Sequence, residues 1–287
     1  MLSLQDLHCC VIILLDRSCE RADLGIKGRT DGVFNIRIAD LVVRIDNRYG
    51  FLRQFCEAYI VADELDSAFS VSAPDDEIRD ALQTLYDQDE AAVPGDPLYV
   101  QQMGYCEAQC IHRRICQEMI RYDAVMLHAA TIAYDGEAYA FSADSGTGKS
   151  THIRLWMEQF GARVQVVNGD KPMLRLIDGV IYAFGTPWCG REGMNTNMRA
   201  PLCALCFLER SGENSITPIA PVEVYRRIFD QLQWTFDAYD EAIMDRFYSL
   251  VERIVGSVRS FVLRCNMKPE AAHVALKGIR GMLIDLE

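Results

Sequence analysis

Positive charge is scarce in this sequence, and no apolar run is long enough to cross a membrane. Lys and Arg number 29 against 41 Asp and Glu, so the formal net charge is −12. A protein of this charge repels nucleic-acid phosphates and anionic lipid headgroups, and we expect neither nucleic acid nor membrane as a partner. The apolar run at residues 9–15 is far shorter than the roughly 20 residues of a spanning helix, and it lacks the flanks of a secretion signal. These absences predict a cytoplasmic protein.

The sequence also lacks internal repeats, low-complexity tracts and a second Cys-x-x-Cys motif. Its cysteines are odd in number, which fits reduced thiols better than a disulfide framework in a chain without an export signal. Cys203 and Cys206 lie in a continuous apolar run typical of a buried strand, and no second pair completes a four-sulfur metal site. Cys106 and Cys110 share one face of a predicted helix, whereas His112 points elsewhere. Buried thiols are therefore favoured over metal ligands at both places.

The 287 residues are enough for two domains, at about 150 residues per domain. Residues 92–97 contain two prolines and a glycine and are the clearest boundary. Before them, residues 33–46 alternate between apolar and polar side chains, as a half-buried hairpin does. We predict an N-terminal α+β domain at 33–97 and a larger domain at 98–287. The preceding segment, 1–32, is an uncertain leader, either an extra strand or a poorly ordered stretch.

The larger domain has the pattern of an α/β fold. One long strand is predicted at 124–134 and a second at 137–141, joined by Asp135-Gly136, a dipeptide favoured in tight hairpins. Alternating elements follow, with strands at 163–167, 202–208 and 261–265 and helices at 222–236, 239–255 and 269–279. An antiparallel pair next to this alternation predicts a mixed, partly antiparallel sheet.

The strongest motif is a glycine-rich loop between the strand at 137–141 and a helix. Glycine permits the left-handed dihedrals that let backbone N–H groups converge on an anion, and the helix N-terminus adds a favourable dipole. In such a loop, Lys149 reaches the β- and γ-phosphates and the Ser150 hydroxyl binds Mg²⁺. The predicted nucleotide-binding residues are Asp144, Ser145, Gly146, Thr147, Gly148, Lys149, Ser150 and Thr151. The motif departs from the usual pattern at Ala143, where a glycine is usual; the alternative is a glycine-rich turn with an incidental lysine.

An acidic residue follows a nearby strand. The strand at 163–167 ends in Asn168-Gly-Asp170, and Asp170 is the candidate for metal contact, for general base, or for both. The alternative is a turn residue, because Asn, Gly and Asp all favour turns.

Together these residues resemble a known family. Ser145-Gly-Thr-Gly-Lys-Ser150, with Met126-Leu-His-Ala129 before it and Asn168-Gly-Asp-Lys-Pro172 after it, resembles the catalytic domain of HPr kinase/phosphorylase, which is related to the nucleotide domain of PEP carboxykinase. The resemblance is closer to the HPr-kinase-like proteins of bacterial peptide-modification gene clusters, in which stretches like 182–193 and 195–197 follow. It covers about 33–282.

The resemblance implies a PEP carboxykinase/HPr kinase-like P-loop domain that uses ATP and Mg²⁺. It implies that His128 lies beside the γ-phosphate or its metal, although a histidine in an apolar run is by itself more often a buried core group. HPr kinases carry two adjacent acidic residues where this chain has Gly169 and Asp170. They also assemble into hexamers, so a homo-oligomer is expected.

The loop at 185–193 is predicted to be an acceptor-side lid. Glycines flank it, Trp188 offers a flat apolar surface, and Arg191 can hold a phosphoryl oxygen. The alternative is a surface loop with a buried tryptophan and a solvated arginine.

The sequence thus predicts an ATP- and Mg²⁺-dependent kinase that phosphorylates a hydroxyl, the serine of a peptide or small protein. Lys149, Asp170 and His128 are the predicted catalytic residues. Two alternatives stay open: a nucleotide-binding regulatory module without transfer activity, and a PEP carboxykinase-like lyase. The identity of the acceptor is not encoded in any of these motifs.

Overall fold

The computed structural model of the protein describes residues 29–86, 91–96, 98–190, 192–233 and 240–284. They belong to two compact units, one up to Met119 and one from Ile120 onward. The division falls after Met119, whereas the sequence pattern predicts it near residue 97. Most of the predicted leader lies outside the described residues, but its last positions begin the first strand at Arg29.

The first unit is a four-stranded sheet with three helices. Its strands are β1 (Arg29–Ile38), β2 (Leu41–Tyr49), β3 (Ile60–Val61) and β4 (Phe69–Ser72), in the order β3-β1-β2-β4. Its helices are α1 (Phe51–Phe55), α2 (Asp75–Leu85) and α3 (Tyr99–Met119). Strands β1 and β2 form the predicted antiparallel hairpin, and the turn residues Ala39 and Asp40 both have positive φ.

A buried carboxylate explains why α3 belongs to this unit. Glu107 of α3 accepts the backbone N–H of Arg48 at 2.7 Å and of Tyr49 at 3.0 Å, at the end of β2. It has no exposed surface. The Pro-Gly segment therefore interrupts the regular secondary structure without separating α3 from the sheet that precedes it.

The second unit is built on a ten-stranded sheet. Its strands are β5 (Ala124–Leu127), β6 (Ala129–Tyr134), β7 (Glu137–Ser142), β8 (Val164–Asn168), β9 (Met173–Ile177), β10 (Val180–Phe184), β11 (Arg199–Arg210), β12 (Ser215–Pro218), β13 (Leu232–Gln233) and β14 (Arg259–Cys265). The order is β13-β5-β9-β10-β11-β7-β6-β8, with β14 beside β11 and β12 beside β14. Parallel pairs (β11 with β7 and with β14) stand among antiparallel ones, so the sheet is mixed, as predicted.

Among the residues that the structure describes, four α-helices belong to this unit: α4 (Lys149–Phe160), α5 (Pro221–Phe229), α6 (Glu241–Ser257) and α7 (Glu270–Ile284). They contribute to two buried apolar clusters. One contains Trp156 of α4 and Ile279 of α7, and the other contains Ile228 of α5 and Phe247 of α6. The central strands are therefore buried on both faces, as β6 is along its whole length.

The described cysteines are all free thiols, and most are buried. Burial raises the pKa of the Cys206 thiol, which keeps it protonated and unreactive. Within the described ranges, no helix combines the length and the apolar character that a bilayer crossing requires.

Candidate functional site

The topology of the second unit places His128, the start of the glycine loop and the start of the acidic segment next to one another, at the ends of β6, β7 and β8. Strand β6 runs antiparallel to both β7 and β8, with Ala129 opposite Ser142 and Thr131 opposite Asn168. The residue before β6, His128, therefore lies between the end of β7, where the glycine loop begins, and the end of β8, where the acidic segment begins.

His128 lies at a break between two strands. The prediction of a single strand at 124–134 is wrong, since β5 ends at Leu127 and β6 begins at Ala129. Strand β5 pairs with β9 and β13, whereas β6 pairs with β7 and β8. The main-chain carbonyl of His128 accepts a hydrogen bond from Ser142 Oγ at 2.8 Å, which ties the break to the last residue of β7.

The glycine loop is open on its outer side. Gly146 has a φ of 77° and Gly148 a φ of 122°, and a Cβ added at either would meet no atom within 4 Å. Asp144, Ser145 and Gly146 are exposed. The loop leads directly into α4, whose first N–H groups lack partners within the helix. The backbone here has both the conformation and the free space that an anion requires.

Lys149, the first residue of α4, turns back into this loop. Its Nζ donates to the carbonyl oxygens of Ala143 at 2.8 Å and Asp144 at 3.4 Å, and only 7% of the residue is exposed. The ammonium is therefore held inside the curve of the loop.

A second cation contacts the loop from outside. Arg210, at the end of β11, donates from Nε to the carbonyl oxygen of Thr147 at 3.2 Å and from its terminal nitrogen to that of Gly146. No sequence motif includes Arg210, because nothing in the pattern of β11 links it to the loop.

Asp170 is buried beside His128. Its Oδ1 lies 3.3 Å from His128 Nε2. Burial by itself raises the pKa of the Asp170 carboxyl, but the hydrogen bond from His128 and the charges of Lys171 and Lys149 outweigh burial and hold that pKa below its usual value. Asp170 is thus ionised at neutral pH.

Asn168 holds the acidic segment in place. Its Oδ1 accepts the backbone N–H of Asp170 at 2.8 Å and of Lys171 at 2.6 Å. Its Nδ2 donates to the carbonyl oxygen of Thr186 at 3.0 Å and to the Thr186 hydroxyl at 3.1 Å, and that hydroxyl donates to the Lys171 carbonyl at 2.7 Å. This buried amide therefore joins the Asp170 segment to the start of the loop at 185–193.

That loop lies against Asp170. Gly190 is so close that a Cβ on it would be 2.9 Å from Asp170 Cβ. Trp188 is 3% exposed, so it lies inside the protein and offers no flat surface to an acceptor in this conformation. Arg191, the predicted phosphoryl contact, lies outside the described residues. Glu192 forms an ion pair with Arg154 of α4, with 2.7 Å between carboxylate and guanidinium.

Gln231 completes the site, and the sequence analysis missed it. The predicted helix at 222–236 would have placed Gln231 within a helix, but α5 ends at Phe229 and β13 follows. Gln231 Oε1 lies 3.1 Å from His128 Nδ1, and its Nε2 donates to Asp144 Oδ1 at 3.2 Å. No local signal reveals this role, because it depends on the pairing of β13 with β5.

The possible metal ligands of this site fit Mg²⁺ only together with phosphate oxygens. Ser150, in the first turn of α4, is half-buried, and Asp170 supplies a carboxylate. The described residues contain no group of three or more His, Cys, Asp or Glu that could hold an ion by themselves. Mg²⁺ is usually held by one or two carboxylates together with phosphate oxygens and water. A hydroxyl and a carboxylate near an anion-binding loop suit that mode of binding.

No protein-family model matches the chain, and no curated protein matches it. Among solved structures, the chain is similar to the Hpr(Ser) kinase/phosphatase from Coxiella burnetii, with 9% sequence identity and a TM-score of 0.33. The match covers 55% of this chain and 98% of the other. A likeness at this level assigns no role to any residue.

Proposed function

We propose that the protein is an ATP- and Mg²⁺-dependent phosphotransferase that acts on a hydroxyl, the serine of a peptide or small protein. The observation that carries this proposal is geometric. Gln231 Nε2 donates to Asp144 of the glycine loop at 3.2 Å, and Gln231 Oε1 lies 3.1 Å from His128 Nδ1. His128 Nε2 in turn lies 3.3 Å from Asp170 Oδ1. A phosphate-binding element and a buried acid thus belong to one site.

In the reaction, the loop N–H groups and Lys149 bind the phosphates and stabilise the charge that spreads over the transferred phosphoryl group. The acceptor oxygen forms a bond to the γ-phosphorus as the bond to the β-phosphate oxygen breaks, and ADP leaves. The Asp170–His128 pair, joined at 3.3 Å, receives the proton of the acceptor hydroxyl. Ser150 and Asp170 are the residues that would hold Mg²⁺, which neutralises phosphate charge when it is bound.

The acceptor side of the site is the loop at 185–193. Its close packing on Asp170 through Gly190 leaves little space there, and the Arg154–Glu192 ion pair links the loop to the phosphate-binding helix. A site with little space beside Asp170 favours an acceptor hydroxyl that extends from a flexible peptide segment, as the hydroxyl of a serine does.

The test is the Lys149→Ala variant, with Lys277→Ala on the exposed face of α7 as a control for loss of one lysine. The assay follows label from γ-labelled ATP into serine-containing peptides, alongside nucleotide affinity. Removing one preorganised charge-stabilising donor typically costs about 10²–10³ in rate. We expect a loss of that size for Lys149→Ala and none for Lys277→Ala.

Transfer at near wild-type rate by Lys149→Ala would reject the proposal. So would a wild-type protein that fails to bind nucleotide in the presence of Mg²⁺.

A second candidate function is a nucleotide-binding regulatory module without transfer activity. It is favoured by the crowding at Gly169, where a Cβ would lie 3.0 Å from the Cys189 carbonyl oxygen and 3.2 Å from that of Met194. A carboxylate side chain at position 169 has no room unless the backbone at Cys189 and Met194 moves. Tight nucleotide binding by the wild-type protein, with no label transferred to any peptide, decides for the module.

A further inference from the structure

Gln231 lies outside every motif in the sequence, yet it contacts two of the site's elements. It is 7% exposed, and its amide lies between the imidazole of His128 and the carboxylate of Asp144. We infer that Gln231 is a positioning residue for the transfer proposed above: it fixes the orientation of the His128 ring, with Nδ1 directed at Gln231 and Nε2 at Asp170, and it joins that ring to the phosphate loop. This inference rests on the proposed function.

The chemistry of the three groups decides the direction of each bond. The amide nitrogen of Gln231 donates to Asp144, so its amide oxygen faces His128. An amide oxygen only accepts, so His128 Nδ1 is the donor in that contact. Nε2 is the ring nitrogen directed at Asp170, 3.3 Å away, and it donates to the carboxylate, so the ring is held between two acceptors.

The backbone holds Gln231 in this place. Its carbonyl accepts the backbone N–H of His128 at 2.7 Å, and the next residue, Leu232, pairs with Leu127 of β5. Residue 231, before β13, is thus opposite residue 128, after β5. His128 is bound to Gln231 through both main chain and side chain, which restricts rotation of the imidazole.

The bond to Asp144 gives an acidic residue in an anion-binding loop a physical role. A carboxylate there repels phosphate, but Asp144 holds the loop to Gln231 and so to His128. Nucleotide in the loop and the orientation of His128 are therefore linked through one amide. Partners of this kind, which orient a functional histidine, typically change affinity or activity by about 10–100-fold when they are lost.

The test uses Gln231→Met, which keeps the length of the side chain and removes both hydrogen bonds. Gln233→Met, two residues along on β13, is the matched control. The first readout is the ¹⁵N and ¹H NMR spectrum of the imidazole nitrogens, with the His128 signals assigned from a His128→Gln variant. We expect the His128 Nδ1–H signal to be protected from solvent exchange in the wild type and in Gln233→Met, and to be broadened or lost in Gln231→Met.

The second readout is the rate of label transfer from γ-labelled ATP to serine-containing peptides. We expect about a 10–100-fold lower rate for Gln231→Met at saturating nucleotide. A conservative exchange provides rescue. In the double variant Gln231→Glu with Asp144→Asn, the glutamate still accepts from His128, and the contact to residue 144 is restored with donor and acceptor exchanged. We expect it to recover at least tenfold over Gln231→Glu alone.

Unchanged imidazole signals in a folded Gln231→Met protein overturn the inference, as does a rate equal to that of Gln233→Met. Altered His128 signals in a protein that binds nucleotide but transfers no label leave the positioning intact and refute the proposed transfer instead.

Discussion

Replacing Gly190 by alanine tests whether the loop at 185–193 controls the position of Asp170. The new Cβ would lie 2.9 Å from Asp170 Cβ, 3.3 Å from Cγ and 3.6 Å from Oδ2. Unbonded carbon atoms are best separated by about 3.5–4.0 Å, so one of the two segments must move by roughly 0.6 Å or more. The buried Asn168 amide restrains the Asp170 segment, so we expect part of the close contact to remain as strain in the variant.

Two costs contribute to the effect of Gly190→Ala. The φ of 74° costs an alanine about 1–2 kcal/mol, and crowding in a packed region adds about 1–3 kcal/mol. Gly179→Ala separates them, because Gly179 has a φ of 83° and a Cβ there meets no atom within 4 Å. We expect Gly190→Ala to be less stable than Gly179→Ala by about 1–3 kcal/mol in the free energy of unfolding, measured with urea.

The same displacement predicts an effect on catalysis. A 1 Å misplacement of a reacting group can cost about 10²-fold, so a shift of this size should lower the rate of label transfer by roughly tenfold or more. Gly179→Ala, in the turn between β9 and β10, should transfer label at the wild-type rate. Equal stability and equal transfer rates in the two variants would show that the loop does not restrain Asp170. The role proposed for the loop at 185–193 on the acceptor side of the site would then be wrong.

Two further predictions concern stability. Burial lowers the pKa of His152 to about 3, so the unfolded chain binds a proton that the folded protein excludes, and stability falls as the pH drops from about 6.5 toward 3 by up to about 1.4 kcal/mol per pH unit. His152→Gln keeps an acceptor for Trp156 Nε1 and should remove this one-proton slope in urea unfolding between pH 4 and 7, by the same relation; parallel pH profiles for both proteins would contradict it. In the first unit, Glu107→Ala leaves two backbone N–H groups without their carboxylate and should cost about 1–3 kcal/mol, whereas Glu107→Gln, which keeps one acceptor oxygen, should cost less. Equal unfolding midpoints for the two Glu107 variants would refute the role given to the carboxylate.

Much of the fold could be read from local patterns. The dipeptide Asp135-Gly136 predicts the hairpin before the loop, and the structure confirms it, with positive φ at both residues and antiparallel pairing of β6 with β7. The two glycines of the loop, its preceding strand and its following helix are also local features. In each case the relevant forces act between residues a few positions apart, within reach of a sequence pattern.

The position at which the two units divide could not be predicted from local patterns. Two prolines and a glycine reliably stop a regular element, but they do not determine which sheet the next helix packs against. That choice depends on Glu107 finding the backbone of β2, a contact separated by 59 positions for Arg48.

The sequence alone determined that a glycine-rich loop lies between a strand and a helix and that an acidic turn follows a nearby strand, because each is a short run of residues with a strong backbone preference. Only the tertiary structure decided that they meet, and that Gln231 joins them. The His128–Gln231 contact spans 103 positions and depends on the pairing of β13 with β5. No periodicity or turn preference carries that information, because strand pairing is decided by the packing of the whole sheet.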